Sequence, residues 1–196
     1  VETLRLATER QLDPGYVSIA KSISFTSTDG NTAHAFYYAP KNQDIQPPED
    51  TYPPLLVVSH GGPTGATSED LDLEIQFWTS RGFAVLDVNY RGSTGFGTSY
   101  RRLLYGSWGI SDVDDCCEGA KWLVKQGLAD PNKLAIRGGS SGGYTTLCAL
   151  TFRDVFRAGA SYYGISDLSA LMKETHKFES HYDKSLIRPN KNLGKL

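Results

Sequence analysis

Lys133-Leu134-Ala135-Ile136-Arg137 followed by Gly138-Gly139-Ser140-Ser141-Gly142-Gly143 is the stretch that decides the reading of this chain. A short apolar run that could form a strand leads straight into a serine enclosed by glycines, the pattern of a nucleophile elbow. Glycines two places before and two places after the serine let the backbone turn sharply, so that the hydroxyl is lifted out of the sheet. Both serines fit glycine-x-serine-x-glycine. With Ser140 in the central place, Gly142 and Gly143 occupy the first turn of the following helix, where close packing on the strand requires small residues. With Ser141 in that place, the bulky Tyr144 falls on the second of those positions. The steric argument favours Ser140 as nucleophile and points to a serine hydrolase.

Working outward, the chain alternates strand and helix. Upstream, Ser22–Thr26 and Ala33–Tyr38 flank a turn at Asp29-Gly30-Asn31 and predict a β-hairpin. Leu55–Val58 is a continuous apolar run, as in a strand covered on both faces. Leu71, Ile75 and Trp78 share a helical spacing that Gly82 ends, and Phe83–Val88 is the next strand. Val113, Cys116, Cys117, Ala120, Leu123 and Val124 form a helical stripe stopped by Gly127. After the glycine-rich turn come a further strand, Ala158–Tyr163, and a helix expected from Asp167 to about Lys177. The alternation predicts an α/β fold with a mostly parallel sheet and helices on both faces. The tail from Lys184 is basic and loop-like.

Composition narrows the partners. The net charge is −2 over 196 residues, with no long basic run, so neither nucleic acid nor an anionic membrane is indicated. No 18-residue apolar stretch and no secretory pattern is present. Three cysteines make no disulfide framework, and a reduced, cytoplasmic state is the simplest expectation. Homo-oligomerisation is compatible with the sequence, which does not fix the oligomeric state.

His60-Gly61-Gly62-Pro63 lies just beyond the Leu55–Val58 strand. At this point of an α/β-hydrolase, such a loop aims a backbone N–H at the developing oxyanion, paired with the N–H of the residue after the nucleophile. Those donors are expected to be Gly62 and Ser141, with His60, Gly61, Gly138, Gly142 and Gly143 as the supporting loops. His60 reads as a hydrogen-bonding residue that orders its loop. Arg91, after a strand end, is a candidate for a substrate carboxylate or a loop-ordering ion pair, and Tyr144 a candidate substrate contact. Asp112, Asp114 and Asp115 are expected at a helix N-terminus, where they favour the helix dipole. No metal site or cofactor is indicated by them or by Cys116 and Cys117.

Four segments together resemble the catalytic domain of the prolyl oligopeptidase family. They are His60–Pro63, Asn89–Gly97, Trp108-Gly109 with Asp112–Asp115, and Gly138–Gly143. The likeness is greatest to its acylaminoacyl-peptidase and dipeptidyl-aminopeptidase branch, which Thr175–Ser180 also resembles. The resemblance implies an α/β-hydrolase fold, peptide substrates, a nucleophile at Ser140 and, in the full-length protein, an N-terminal β-propeller. It assigns residues 1–16 to the end of that preceding region, 17–183 to a partial catalytic domain and 184–196 to a divergent tail. The family carries its catalytic Asp and His later than this chain extends. Asp167 with His176 gives the correct order, but His176 falls on a helix leading away from the strand ends, and His181 is no better placed. The expected reading is therefore a fragment of a serine peptidase, nearly inactive alone. A truncated binding isoform is the alternative, as is an esterase on the same fold, which the Asn89–Gly97 segment disfavours.

Overall fold

The computed structural model describes residue 5, residues 12–169, residue 171 and residues 183–187. Its centre is a six-stranded sheet in the order β1-β2-β4-β3-β5-β6. The strands are β1 (Lys21–Thr26), β2 (Thr32–Tyr38), β3 (Leu55–Ser59), β4 (Ala84–Asn89), β5 (Leu134–Gly139) and β6 (Ala158–Tyr162). The expected hairpin forms, with Lys21 opposite Tyr37 and Thr26 opposite Thr32. β2 runs antiparallel to β4, whereas β4, β3, β5 and β6 are mutually parallel. This is the mostly parallel sheet that the alternation of elements implied.

The helices are α1 (Leu73–Thr79), α2 (Gly97–Arg102), α3 (Ser111–Lys125), α4 (Ser141–Phe152) and α5 (Asp183–Leu186). Because side chains alternate along a strand, Leu55 and Val57 enter the core beneath α3 and α4, together with Leu86, Val88 and Ile136. Leu56 and Val85 face the opposite way, onto Ile75 of α1 and Tyr38. All six residues of β4 are buried, the apolar ones in the two cores and Asp87 and Asn89 against hydrogen-bonding partners.

Four local expectations change. Leu71 lies outside α1 and is exposed, because the Asp72 side chain accepts from Glu74 N and Ile75 N and starts the helix after it. A short helix α2 forms where no periodicity announced one. The tail is not wholly loop-like: Leu186 is buried in the core cluster, and Ser185 O accepts from Gly106 N at 2.9 Å. Asp112 and Asp114 do stand in the first turn of α3, but Asp112 and Asp115 are fully buried by their partners rather than left to the helix dipole alone. The helix expected from Asp167 to Lys177 lies mostly outside the described residues, as do His176 and His181. β6 forms one edge of the sheet, with every residue exposed.

Candidate active site

The carboxyl ends of β3, β4 and β5 converge on one rim of the sheet, the place where open α/β sheets gather ligands. β5 delivers Ser140 to that rim. Its backbone is held at φ 55° and ψ −120°, in the left-handed half of conformational space that few residues other than glycine enter. The local structure enforces this: Ser140 N donates to Tyr162 O at 3.0 Å, and Tyr144 N donates to Ser140 O at 3.1 Å. Ser140 precedes α4 without capping it through its side chain, so its exposed hydroxyl is not consumed by the helix.

The turn fits only because its neighbours lack side chains. A Cβ on Gly142 would stand 2.0 Å from Ser59 O, so α4 begins in backbone contact with the end of β3. Gly138 and Gly143 occupy similarly closed positions against Gly142 and Gly164. Ser141 is different from Ser140. It is 2% exposed, and its Oγ accepts from Trp108 Nε1 at 3.1 Å. One serine of the pair thus faces the rim and the other is committed to the interior.

The loop after β3 lies directly opposite. A Cβ on Gly61 would come within 3.7 Å of Ser140 Cβ, and Gly62 adopts φ +129°, where a Cβ would meet Gly65 N at 2.5 Å. His60 pins this loop. Its ring stacks on Tyr90 with centroids 4.2 Å apart, and Tyr90 OH donates to His60 O at 2.9 Å. His60 Nδ1 is 2.7 Å from Gly61 O and Nε2 is 2.7 Å from Ser93 Oγ. Burial holds the imidazole below its ordinary pKa; Nδ1–H donates to Gly61 O, and the Ser93 hydroxyl sits between Nε2 and Tyr90 O, 2.7 Å from each. Further along, Asn89 exchanges two hydrogen bonds with the Thr67 backbone, at 2.9 and 3.1 Å. The Thr67 hydroxyl donates to Asp87, whose carboxyl burial pushes up to about 6.

Peptide geometry also constrains two N–H groups at this rim. In a trans peptide the C=O and N–H point opposite ways. Gly61 O is held by His60 and Ser140 O by Tyr144 N, so the N–H groups of Gly62 and Ser141 are directed away from those contacts. Among the described residues neither donates to a protein acceptor. Ser141 N–H is also one of the first-turn helix donors that have no intrahelical partner.

Arg91 is no substrate contact. It is 3% exposed and grips Asp115 through Nε at 2.9 Å and Nη2 at 2.9 Å, while its own N–H donates to the same carboxylate at 2.6 Å. A guanidinium buried against a carboxylate needs this pairing, which also accounts for the burial of Asp115. Asp112 is buried for a comparable reason, accepting from Gly109 N at 2.7 Å and from Thr145 Oγ1 at 2.5 Å. Tyr144 is half-buried and packs edge-on against Trp108, inside rather than on the rim. Burial drives the Cys117 thiol up to about 12 and raises those of Cys116 and Cys148, as befits core residues. Among the described residues no group of acids, histidines and cysteines is arranged to hold a metal. No described helix is long and apolar enough to cross a membrane.

Trp108, Ser93 and Thr145 are the site-supporting residues that sequence patterns left unassigned. Their roles depend on partners 33 positions away in each case, a separation at which periodicity is silent.

Known proteins share this sequence pattern and fold. The chain is 34% identical over 180 residues to dipeptidyl aminopeptidase BIII of Pseudoxanthomonas mexicana, covering 88% of this chain and 26% of that protein. It is 41% identical over 93 residues to acylamino-acid-releasing enzyme 1 of Oryza sativa subsp. japonica, covering 47% and 12%. Among solved structures, a puromycin-hydrolyzing peptidase of Mycobacterium tuberculosis superposes with a TM-score of 0.94 at 46% identity, over 97% of this chain and 30% of that one. The acylaminoacyl peptidase of Pyrococcus horikoshii superposes with a TM-score of 0.77 at 29% identity, over 91% and 28%. The chain therefore spans less than a third of the length of each of these relatives. Their fold is the α/β-hydrolase fold, of which this sheet is a part. Residues 69–194 match the model of the prolyl oligopeptidase family, and with the rim described above this establishes that the chain belongs to that family of serine peptidases.

Proposed function

We propose that this chain carries the nucleophile and the oxyanion donors of a serine peptidase that cleaves amide bonds of short peptides through an acyl-enzyme. The observation that carries the reading is the contrast within one turn: Ser140 exposed at positive φ, Ser141 buried against Trp108. Ser140 Oγ attacks the substrate carbonyl carbon and gives its proton to a base. The carbonyl oxygen becomes an oxyanion that accepts from Gly62 N–H and Ser141 N–H. Collapse expels the protonated amine, and water releases the acyl group from Ser140.

The base comes from outside the described residues. His34 stacks on Phe96 at 4.4 Å and contacts Ser24, while both nitrogens of His60 are engaged in its own loop. Asp167 is exposed and accepts from Ser169 N. The resemblance to the family puts the acid and base in later sequence, and without them the chain alone is expected to turn over substrate poorly. A β-propeller preceding this domain, and an assignment of residues 17–183 to the catalytic unit, belong to the same proposal, as does a cytoplasmic setting.

The relatives' names select substrates to try: N-terminally acylated peptides, dipeptidyl arylamides and puromycin. The test uses the full-length protein with a fluorophosphonate probe and these three substrates. Labelling and amide turnover that both vanish in Ser140→Ala support the proposal. Ester turnover without amide turnover favours an esterase, and absence of labelling in a folded protein favours a binding isoform.

A further inference from the structure

Serine at position 141 is unexplained by the chemistry proposed above, which uses only its backbone N–H; alanine would supply the same donor. A buried hydroxyl is costly without a partner, and here the partner is one side chain. We infer that Trp108 is a positioning residue for the Ser141 N–H, holding the first turn of α4 through the Ser141 hydroxyl. This rests on the reading of Ser140 as nucleophile.

The geometry supports a clamp rather than a passive contact. Trp108 is 7% exposed, and its ring meets Tyr144 edge-on at 5.2 Å, so the indole cannot swing without displacing α4. Its backbone N–H donates to Leu186 O at 3.3 Å. The next residue, Gly109, adopts φ +79°, and a Cβ there would lie 2.7 Å from Tyr144 OH, so the segment lies directly against α4. Gly109 N then donates to Asp112, which accepts the Thr145 hydroxyl one turn along α4. Thr145 Oγ1 also lies 3.2 Å from Ser141 O. Ser141 and Thr145 are thus both held from outside the helix by one short segment, 108–112. The first turn of a helix is where intrahelical bonds hold least, and an error of about 1 Å in a catalytic group can cost on the order of a hundredfold in rate. An external clamp at this position sets the direction of the N–H that meets the oxyanion.

The experiment compares Trp108→Phe, Ser141→Ala and the double variant in the full-length protein. Turnover is normalised to sites titrated to completion with fluorophosphonate, which removes any loss of folded protein. Trp108→Phe keeps the aromatic packing; Ser141→Ala removes a single buried hydroxyl and serves if the tryptophan variant folds poorly. Each variant is expected to lower kcat per titrated site about tenfold while KM stays within about twofold. Affinity for a peptide aldehyde, whose adduct places an oxygen in the same hole, should fall in parallel. The double variant should be no worse than the worse single, because both remove one hydrogen bond. Normal kcat per site, a change in KM alone, or multiplying single effects would each overturn the inference. Ser140→Ala separates the two levels. If it retains turnover, the nucleophile assignment fails; if it abolishes turnover while Trp108→Phe does not impair it, only the clamp fails.

Discussion

Ser59 O lies 2.0 Å from where a side chain on Gly142 would begin, so the end of β3 and the start of α4 touch through bare backbone. That contact brings the His60–Pro63 loop and Ser140 to the same rim, and it makes glycine at 142 a requirement of the site.

Gly142→Ala should destabilise the protein by about 3 kcal/mol or more, since a backbone carbonyl rather than a flexible side chain must move. Gly82→Ala is the control. Gly82 has φ +88° and open space where a methyl group would stand, with no atom within 4 Å, so only backbone strain of about 1–2 kcal/mol is expected. Urea midpoints of the two variants decide; equal losses would show that the close approach does not matter.

Labelling by fluorophosphonate should distinguish the adjacent serines. Ser140→Ala should abolish it, and Ser141→Ala should still reach full stoichiometry, more slowly. Intact mass after exhaustive labelling gives the answer directly, and loss of label in Ser141→Ala alone would reverse the assignment.

Arg91→Met strands Asp115 in the interior without its cation. The expected loss is about 3–5 kcal/mol, with much of it recovered when Asp115→Leu is added. Denaturant titration of both variants tests this. A small loss in the single variant would mean that water reaches the carboxylate.

Acid should favour the fold through Asp87. Its folded pKa of about 6 lies above the ordinary 3.8, so the folded state binds the proton more tightly. The resulting stability is fully present below pH 3.8 and is lost as pH rises through about 6, by roughly 3 kcal/mol. Asp112 is displaced in the same direction for the same reason, and His60, whose pKa burial lowers, acts oppositely. Asp87→Asn should flatten the decline between pH 4 and 7 while Thr67 keeps an acceptor. An unchanged slope in stability measured across that range would remove Asp87 as its source.

Much of the architecture was legible in residue order. Leu55–Val58 and Ala84–Leu86 are apolar runs that suit a sheet covered on both faces, and the Val113–Leu123 spacing permits a helix with one buried stripe. The glycine pattern around Ser140 is a local steric statement, readable because backbone conformation depends on the residue and its immediate neighbours. The same locality explains the failures. Leu71 has the right spacing for α1, but the Asp72 cap lies within one residue of it and starts the helix later.

By itself the sequence determined the alternation of strands and helices, the mostly parallel sheet, the resemblance to the family, and a short list containing Ser140, Ser141, Gly62 and His60. Only the tertiary structure decided which serine keeps an exposed hydroxyl, that Arg91 turns inward, and that Asp112 and Asp115 are buried. The physical reason is one of range. Periodicity reports which face of an element avoids water, whereas the fate of a buried polar group depends on a partner far along the chain. Trp108 finds Ser141 33 positions away, and Arg91 finds Asp115 24 positions away. Charges and hydroxyls tolerate the interior only where such partners meet them, and folding alone brings them together.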